Sequence, residues 1–369
     1  MEKCCAVRPG TEFPNPVVDT ARTTELRIIP ELRAAHVERH AAAPNEVILY
    51  RKLSWDLGDR TLPNTCRRAS FPRIIRHLAS ANVDLIELPE PLWVRALPLT
   101  LSAGILSRIL ACGRARNVTY AIENNDIRQL MGIGGLAGRA YAFIFVWGGG
   151  FVFRHLLDKI AYGSAGAAST YSVMRGMSSV AHCTIPELPK AATKQTDPAG
   201  ARVLFVGRLE RRKGMHALLK AWPGVELRHP AATLTIVGDG DLRPDVQQWQ
   251  SENPEKRHFR GLIDHREMSS LYRTHSVLVA PSQREGRWRE QIGLPIKEAL
   301  SFGMTVVSTA ETGLAQWLKN NGHYVIDDPR DLEDALTRAV SEPLHRDKVL
   351  RSLPELDGRS AADRWLRTP

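Results

Sequence analysis

The feature that most constrains the fold is a stretch from Val203 to Thr312 in which three apolar, β-branched runs each break at glycine or proline. In chain order the runs are VLFVGRLERRKG, LTIVGDGDL and VLVAPSQREGRWREQIGLPIKEALSFGMTVVST. Such a run is typical of a buried parallel strand that feeds a loop and a helix. Repeated in this order, the runs predict a doubly wound α/β sheet, whose ligands bind beyond the carboxyl ends of the strands.

The length and charge of the chain limit its architecture and its partners. A chain of 369 residues exceeds what one hydrophobic core usually serves, so we expect two domains. With 43% hydrophobic and 24% charged residues it is globular. The formal charge of +10 predicts an anionic partner. No basic block or aromatic RNA-binding signature accompanies it, so we expect no nucleic acid, whereas a nucleotide diphosphate or an acidic membrane surface would fit.

The cysteines and the N-terminus bear on the compartment. The 5 cysteines are scattered, without the spacing of a zinc site or a disulfide scaffold, which favours a reducing environment. The first residues, MEKCCAVRPGTEFPNPVVDTART, lack the apolar core of a signal peptide. We therefore expect a cytoplasmic protein, and we keep open a peripheral contact with the inner face of the membrane.

Changes in pattern along the chain predict the domain boundaries. From Glu46 onward, short apolar strands alternate with helical spacing, as in a second and smaller doubly wound domain. The stretch PELPKAATKQTDPAG, rich in Pro, Ala and polar residues, has the composition of a linker. The predicted parts are an irregular lead-in (1–45), an N-terminal acceptor-side Rossmann-like domain (46–190), a C-terminal nucleotide-sugar-binding Rossmann-like domain (200–340) and a tail compatible with a helix that packs back on the N-terminal domain (341–369).

An apolar stretch in the N-terminal half, YAFIFVWGGGFVF at 141–153, allows two interpretations. It is too short to cross a bilayer and carries central glycines. One interpretation is an apolar surface that rests on an anionic membrane, helped by the flanking Arg139, Arg154 and Lys159. The other, which we prefer from the sequence, is that this stretch belongs to a buried core helix.

The first of the three signatures, FVGRLERRKG, places Gly207 at a strand end and Arg208 and Lys213 on the loop that follows. Glycine allows close backbone approach, and two cations can hold a diphosphate, arginine through paired donors and lysine as a point charge. The alternative is a solvated cationic face, because Arg211 and Arg212 lie in the same loop.

The second signature, IVGDGDL, closes a predicted strand with a turn built around Gly238 and Gly240. Asp239 and Asp241 could be mistaken for a metal-binding pair, but a Gly-Asp-Gly turn is ordinary loop chemistry. We expect these glycines to line the nucleotide, and we predict no metal.

The third signature contains two carboxylates, Glu290 and Glu298, on either side of Gly293, Leu294 and Pro295. If Pro295 opens a helix, Glu298 lies in its first turn and Glu290 in the preceding loop, so that both face one pocket. The helix N-terminus would favour a phosphate there. The alternative is that Glu298 only complements the helix dipole at the surface.

In order and spacing, the three signatures resemble the retaining glycosyltransferases of family 4, also called group 1, over a little more than a hundred residues. The matching elements are FVGRL…KG, VGDG and Glu290 and Glu298 separated by seven residues, followed by EALSFG and VVST. The resemblance implies the GT-B fold, with two Rossmann-like domains facing across a cleft. It also implies that Arg208 and Lys213 hold the donor diphosphate, that Glu290 approaches the donor sugar and that Glu298 binds the ribose.

The resemblance implies a site without a metal or cofactor, in which the nucleotide-diphosphate sugar is a substrate. Its candidate catalytic residues are Glu290, Arg208 and Lys213, and the candidate donor-binding residues are Gly207, Arg208, Lys213, Gly238, Gly240, Glu290, Ile292, Gly293, Leu294 and Glu298. This chain departs from the family pattern where Gln291 and Ile292, rather than glycine and an aromatic residue, follow the first glutamate. The N-terminal half shares only the alternating rhythm, so no catalytic residue is assigned there.

The function that these residues predict is retaining transfer of a sugar from a nucleotide-diphosphate sugar to a glycan or lipid-linked acceptor, in cell-envelope or extracellular polysaccharide synthesis. Two alternatives stay open. One is a sugar-nucleotide epimerase of the same fold, which would glycosylate no acceptor. The other is a non-catalytic subunit that binds a nucleotide sugar within a polysaccharide assembly, although retention of Arg208, Lys213, Glu290 and Glu298 favours an enzyme.

Overall fold

A computed structural model describes residues 24–40, 46–54, 57–58, 60–80, 83–110, 114–132, 135–192 and 200–369. The chain divides into two compact units. Unit 1 comprises Met1–Ile185 together with Ser360–Pro369, and unit 2 comprises Pro186–Arg359.

Unit 1 is built on a parallel sheet of 7 strands in the order β3-β2-β1-β4-β5-β6-β7. Its strands are β1 (Thr24–Leu32), β2 (Glu46–Leu53), β3 (Cys66–Arg68), β4 (Val83–Glu87), β5 (Arg116–Ala121), β6 (Lys159–Tyr162) and β7 (Ala181–Thr184). Its helices are α1 (Ala34–His40), α2 (Phe71–Ser80), α3 (Leu97–Leu110), α4 (Ile127–Met131), α5 (Gly135–Ile144), α6 (Gly150–Leu156) and α7 (Ala165–Ser172). Apolar side chains of strands and helices alike fill its core, as the alternating pattern predicts.

The predicted irregular lead-in is wrong for the part of it that the structure describes. Thr24–Leu32 forms β1, which pairs in parallel with β2 on one side and β4 on the other. Its charged residues obscured the strand in the sequence, because Arg27 is buried and contacts Glu46 at 3.0 Å and Glu87 at 3.1 Å. The rest of the predicted lead-in, 1–23 and 41–45, lies outside the described residues.

Unit 2 is built on a parallel sheet of 6 strands in the order β10-β9-β8-β11-β12-β13. Its strands are β8 (Arg202–Val206), β9 (Thr233–Val237), β10 (Arg257–Gly261), β11 (Val277–Ala280), β12 (Thr305–Thr309) and β13 (Tyr324–Ile326). Its helices are α8 (Met215–Arg228), α9 (Arg243–Ser251), α10 (His265–Thr274), α11 (Leu294–Ser301), α12 (Ala315–Asn320), α13 (Leu332–Ser341) and α14 (Arg346–Ser352). The two parallel sheets confirm the predicted class of two doubly wound α/β domains.

The last helix, α15 (Gly358–Arg367), brings the end of the chain to unit 1. Ala362 and Leu366 are buried among residues of β4, β5 and β6. The Lys159 ammonium donates to the carbonyl of Thr368 at 2.6 Å and to that of Pro369 at 2.9 Å. Lys159 is therefore buried against the C-terminus, and the expectation that it flanks a membrane-facing surface is wrong.

Our preference for a buried core helix at the apolar stretch 141–153 is wrong, because one side of this stretch is exposed. It continues from α5 through a π-helical segment, Phe145–Gly149, into α6. One side is buried, with Phe153 1% exposed, but Phe143 is 60% and Trp147 46% exposed. No helix in the described part of the chain is both long and apolar enough to cross a membrane.

Candidate functional site

The first two signatures meet at the carboxyl ends of β8 and β9, where their backbones touch. A Cβ atom on Gly238 would lie 1.8 Å from the carbonyl oxygen of Gly207, so only glycine fits this crossing. The Gly207 amide donates to the backbone carbonyl of Val237, and the Leu209 amide donates to that of Asp239, both at 3.0 Å. A Cβ on Gly240 would meet the carbonyl oxygen of Leu209 at 2.6 Å. The structure therefore brings three of the predicted glycines together.

The third signature is held against the first in the same way. Gly214 has φ of 75°, and a Cβ there would lie 1.9 Å from the carbonyl oxygen of Pro281, just beyond β11. The Gln283 amide donates to the carbonyl of Arg212 at 2.8 Å. The loop that carries the predicted cations and the loop that leads to Glu290 are thus fixed relative to each other by backbone contacts.

Lys213 and Glu290, which are far apart in sequence, form an ion pair. The side chains are 21% and 15% exposed, so the pair is largely shielded from solvent. The Ser282 hydroxyl donates to the same Glu290 oxygen, Oε2, at 3.0 Å. The candidate diphosphate-binding cation is therefore in contact with the candidate sugar-facing carboxylate.

A tryptophan that the sequence analysis did not select packs against the cations. Glu285 and Trp288 pair as a one-bridge hairpin, which turns the side chain of Trp288 toward the first loop. The Arg212 guanidinium lies 4.4 Å and the Lys213 ammonium 4.9 Å from the centre of its ring. An aromatic face attracts a cation, so Trp288 restrains both side chains. The signal was the unusually basic run SQREGRWRE, in which only one residue is aromatic.

Arg208 lies apart from that pair. Its side chain is 66% exposed and its guanidinium contacts the carboxylate of Glu210. The other oxygen of Glu210 contacts Arg212 at 2.5 Å. Glu210 therefore holds two cations of the loop, and an incoming anion would compete with it for Arg208.

Glu298 occupies a different position from the predicted one. Helix α11 begins at Leu294, with Gly293 as its N-cap and Pro295 in the second position. Glu298 is consequently the fifth helical residue and lies beyond the first turn. The helix starts one residue earlier than predicted, directly after Gly293, whose φ of 89° favours glycine.

The Glu298 carboxylate accepts a hydrogen bond from the hydroxyl of Tyr272 at 2.6 Å. Tyr272 is 2% exposed, and burial, followed by the negative charge of Glu298, raises the pKa of its hydroxyl. The tyrosine therefore stays a neutral donor at physiological pH. It fixes one oxygen of Glu298 and was not selected from the sequence.

The loop between the two glutamates is anchored by its carbonyls. Thr312 donates through its hydroxyl to the carbonyl of Ile292 at 2.7 Å, and the Gly313 amide donates to that of Gln291 at 2.8 Å. Ile292 is buried, whereas Leu294 is 65% exposed. Among the predicted donor-binding residues of this loop, Leu294 thus presents an apolar side chain to solvent, and Ile292 serves the packing of the loop.

The acidic residues of the second signature serve the turn. Asp239 accepts from the Gly240 amide at 3.0 Å and contacts Arg243 at 3.5 Å. In the part of the chain that the structure describes, no group of three or more His, Cys, Asp or Glu side chains is placed to hold a metal ion. That the donor binds without metal or cofactor stays a prediction.

In unit 1 a carboxylate lies beyond the carboxyl end of β4. Glu90, which follows β4, accepts from the amide of Glu123 at 2.8 Å and from the hydroxyl of Tyr171 at 3.2 Å. Burial raises the pKa of Glu90 to about 8. The hydrogen bond from the Glu123 amide lowers this pKa, and the negative charge of the Glu123 side chain raises it. Glu90 is therefore protonated at neutral pH.

Comparison with known proteins identifies the domain that carries this site. Residues 200–344 match the family model described as "Glycosyl transferases group 1". These residues form a group 1 glycosyltransferase domain. Two curated proteins of Mycobacterium tuberculosis are similar to the chain. Glycogen synthase is 32% identical over 147 residues, or 38% of this chain and 33% of that protein. Phosphatidyl-myo-inositol mannosyltransferase is 34% identical over 170 residues, or 45% and 43%. The chain thus matches less than half the length of these relatives.

The likeness in structure extends beyond the group 1 domain. The crystal structure of Anabaena HepE in complex with UDP superposes with a TM-score of 0.63 and covers 93% of this chain and 95% of that one, at 12% identity. Neighbours of this kind are GT-B glycosyltransferases, which confirms the predicted GT-B fold class. At this identity the likeness concerns the fold alone.

Proposed function

We propose that the protein is a retaining glycosyltransferase that moves a sugar from a nucleotide-diphosphate sugar to a hydroxyl of a glycan or lipid-linked acceptor. The observation that carries the proposal is the shielded contact of Lys213 with Glu290, supported by Ser282 and held among backbone crossings that only glycine allows. A cation and a carboxylate side by side match a substrate whose diphosphate is anionic and whose sugar becomes positively charged in the transition state.

The cations would stabilise the leaving diphosphate. When the bond between the anomeric carbon and the diphosphate oxygen breaks, its electron pair leaves with the diphosphate, and fixed positive charges in a partly shielded site lower that barrier. Lys213 is 21% exposed and restrained by Trp288, so its position is set before the substrate binds. Arg208 would exchange Glu210 for the phosphate oxygens, since a guanidinium offers paired donors to phosphate.

Glu290 would face the donor sugar, where an oxocarbenium-like centre develops. The acceptor hydroxyl attacks the anomeric carbon from the face that the diphosphate leaves, and its proton passes to the departing phosphate oxygen. The resemblance to the group 1 family supports this same-face course. Glu298, with one oxygen held by Tyr272, would accept hydrogen bonds from the ribose hydroxyls.

The names of the similar proteins suggest the first compounds to test. HepE was crystallised with UDP and with UDP-glucose, and one curated relative is named as a mannosyltransferase of phosphatidyl-myo-inositol. Uridine diphosphate sugars are therefore the first donors to try, and glycans and lipid-linked sugars the first acceptors. A role in cell-envelope or extracellular polysaccharide synthesis follows from such acceptors.

The proposal is tested in two stages. First, uridine, guanosine and adenosine diphosphates and their sugars are screened for thermal stabilisation, because a ligand that binds the folded state alone raises the melting temperature. The best donor is then incubated with acceptor mixtures, and the products are analysed by mass spectrometry and by the anomeric coupling in NMR. We expect a glycosylated acceptor whose anomeric configuration matches that of the donor.

Other results would overturn parts of this proposal. A free epimerised sugar and no glycosylated acceptor would identify an epimerase. Nucleotide binding without any turnover across the acceptor set would identify a binding subunit. Inversion at the anomeric carbon would contradict the same-face course while leaving the transfer itself intact.

A further inference from the structure

The helix that runs from α5 through the π-helical segment to α6 exposes large apolar side chains on one side. We name this surface the aromatic face, and it consists of Phe143, Ile144, Trp147 and Phe151, which are 60%, 64%, 46% and 51% exposed. Phe143, Trp147 and Phe151 are spaced four residues apart, and the rings of the first two lie 5.5 Å apart. Exposed apolar residues grouped in this way mark a binding surface more often than isolated ones do.

Arginines frame the aromatic face. The guanidinium of Arg175 lies 4.4 Å from the centre of the Trp147 ring, and that of Arg154 lies 4.8 Å from the centre of the Phe151 ring. Both arginines are exposed, as is Arg139 on α5. The segment from Ile127 to Leu157 contains no aspartate or glutamate. Positive charge therefore surrounds the apolar side chains without acidic residues of this segment to offset it.

Backbone contacts fix the orientation of the aromatic face. The Arg175 amide donates to the carbonyl of Val146 at 3.0 Å, inside the π-helical segment. A Cβ on Gly150 would lie 2.6 Å from both the amide nitrogen and the carbonyl oxygen of Arg175. A π-helical turn inserts an extra residue into the helix and shifts the side chains that follow. The widened turn and the glycine thus let Phe153 pack inward while Trp147 and Phe151 stay outside.

We propose that the aromatic face binds the surface of an anionic lipid bilayer, with the four apolar side chains at the level of the headgroups and the arginines on lipid phosphates. Tryptophan and phenylalanine beside arginine are typical of segments that lie in the membrane interface. Charge complementarity favours this partner over a second copy of the chain. A two-fold dimer through this face would bring its identical basic borders together. The inference goes beyond the proposed transfer and does not depend on it.

Vesicle co-sedimentation of the full chain tests the proposal without any measurement of turnover. The vesicles are phosphatidylcholine alone or phosphatidylcholine mixed with phosphatidylglycerol, at low salt and at about 0.15 M salt, where the Debye length is about 8 Å. We expect binding to the mixed vesicles at low salt, weaker binding at higher salt and little binding to phosphatidylcholine alone. A wild-type protein that stays in the supernatant with mixed vesicles at low salt would overturn the proposal.

Matched variants separate the aromatic face from general surface charge. Trp147→Ser combined with Phe151→Ser should lower the partition coefficient by about tenfold or more. The control pair, Leu227→Ser with Leu262→Ser, removes leucines that are 83% and 78% exposed in unit 2 and should bind like the wild type. Equal binding by the aromatic variant and the control would overturn the proposal.

A second set of variants tests the charges and the competing occupant. Arg139→Gln with Arg154→Gln should release the protein at lower salt than the exposed control Arg351→Gln. Light scattering of the same samples reports the oligomeric state. A concentration-dependent dimer that the aromatic variant abolishes, without any vesicle binding by the wild type, would identify the face as an interface between copies and contradict the lipid proposal.

Discussion

Both units are built on a parallel doubly wound sheet, but the residues at the carboxyl ends of the two sheets differ. In unit 2 the loops at the carboxyl ends cross one another at Gly207, Gly238 and Gly214, and they carry a cation paired with a carboxylate. In unit 1 the corresponding end carries the protonated Glu90, and the exposed apolar residues lie on a helix. The comparison shows that one architecture supports, in unit 2, loops that backbone crossings fix around a cation paired with a carboxylate. In unit 1 it supports a polar edge, with large apolar side chains exposed on a helix.

The largest effect that we expect separates glycines at backbone crossings from glycines in open space. Gly214→Ala places a Cβ 1.9 Å from the carbonyl oxygen of Pro281, so it should lower the free energy of unfolding of unit 2 by about 4 kcal/mol or more. Gly261 also has positive φ, 62°, but nothing lies within 4 Å of its Cβ position, so Gly261→Ala should cost about 1–2 kcal/mol. Chemical denaturation measures both, and equal losses would show that the crossing is not what requires glycine.

The second effect is a difference in pH dependence between the units. The pKa of Glu90 in the folded protein, about 8, lies above the ordinary value of 4.5, so the protonated carboxyl stabilises the fold fully below about pH 4.5 and this contribution is lost as the pH rises toward 8. Relative to wild type, Glu90→Gln should gain about 1.4 kcal/mol of unfolding free energy per pH unit across that window. Asp84→Asn, at an exposed residue of the otherwise largely buried β4, is the control. Parallel pH profiles for wild type and Glu90→Gln would contradict this.

Unit 2 should respond to pH in the opposite direction. Burial lowers the pKa of His275 and of His323 to about 4, so both stay neutral in the folded unit while the unfolded chain takes up protons below about 6.5. Their contribution to stability is therefore lost as the pH falls from about 6.5 toward 4. Peptide-resolved hydrogen exchange should show that lowering the pH from about 6.5 to 4 destabilises unit 2 and stabilises the region around Glu90.

A smaller effect concerns the second glutamate of the site. Glu298→Gln should weaken nucleoside-diphosphate binding by about 1.5 kcal/mol, because an amide accepts less strongly from ribose hydroxyls than a carboxylate does. Tyr272→Phe, which removes the hydroxyl that holds Glu298, should weaken binding in the same direction. Titration calorimetry measures both, with circular dichroism to check folding. Loss of turnover with binding intact in Glu298→Gln would mean that the roles of the two glutamates are reversed.

The smallest effect is that of the tryptophan on the cations. Trp288→Ala should weaken nucleoside-diphosphate binding by about 1 kcal/mol, because the indole of Trp288 no longer restrains Arg212 and Lys213. Trp288→Phe keeps an aromatic face and should recover most of the affinity. An alanine variant that binds like the wild type would show that Lys213 is positioned by Glu290 alone.

The difference between the units also explains how far the sequence could predict them. In unit 2, backbone crossings require glycine and buried parallel strands require apolar runs. The strand ends at VGRL and VGDG could therefore be predicted from the sequence alone. In unit 1, β1 was missed because Arg27 inside it is neutralised by Glu46, Glu87 and Asp363, and the last of these is far away in sequence.

The parts of the site that escaped prediction depend on tertiary contacts. The roles of Trp288 and Tyr272 follow from which loops and helices lie side by side, and no local pattern encodes that. The prediction missed the start of α11 by one residue, because Pro295 occupies the second helical position and not the first. The exposure of the aromatic face was equally hidden, since its spacing fits a core helix as well as a surface one.

The central claim is that the cations at the carboxyl end of the unit 2 sheet bind the diphosphate of the donor. It is tested most directly by titration calorimetry of uridine diphosphate, or of the diphosphate that stabilises the protein best, against Arg208→Ala, Lys213→Ala and Arg211→Ala. Arg211 is exposed and carries the same charge in the same loop, so it controls for general attraction. We predict that the first two variants each lose about 1.5–3 kcal/mol of binding free energy and that Arg211→Ala changes it by less than about 0.5 kcal/mol. Unchanged affinity in both Arg208→Ala and Lys213→Ala, or an equal loss in Arg211→Ala, would contradict the claim.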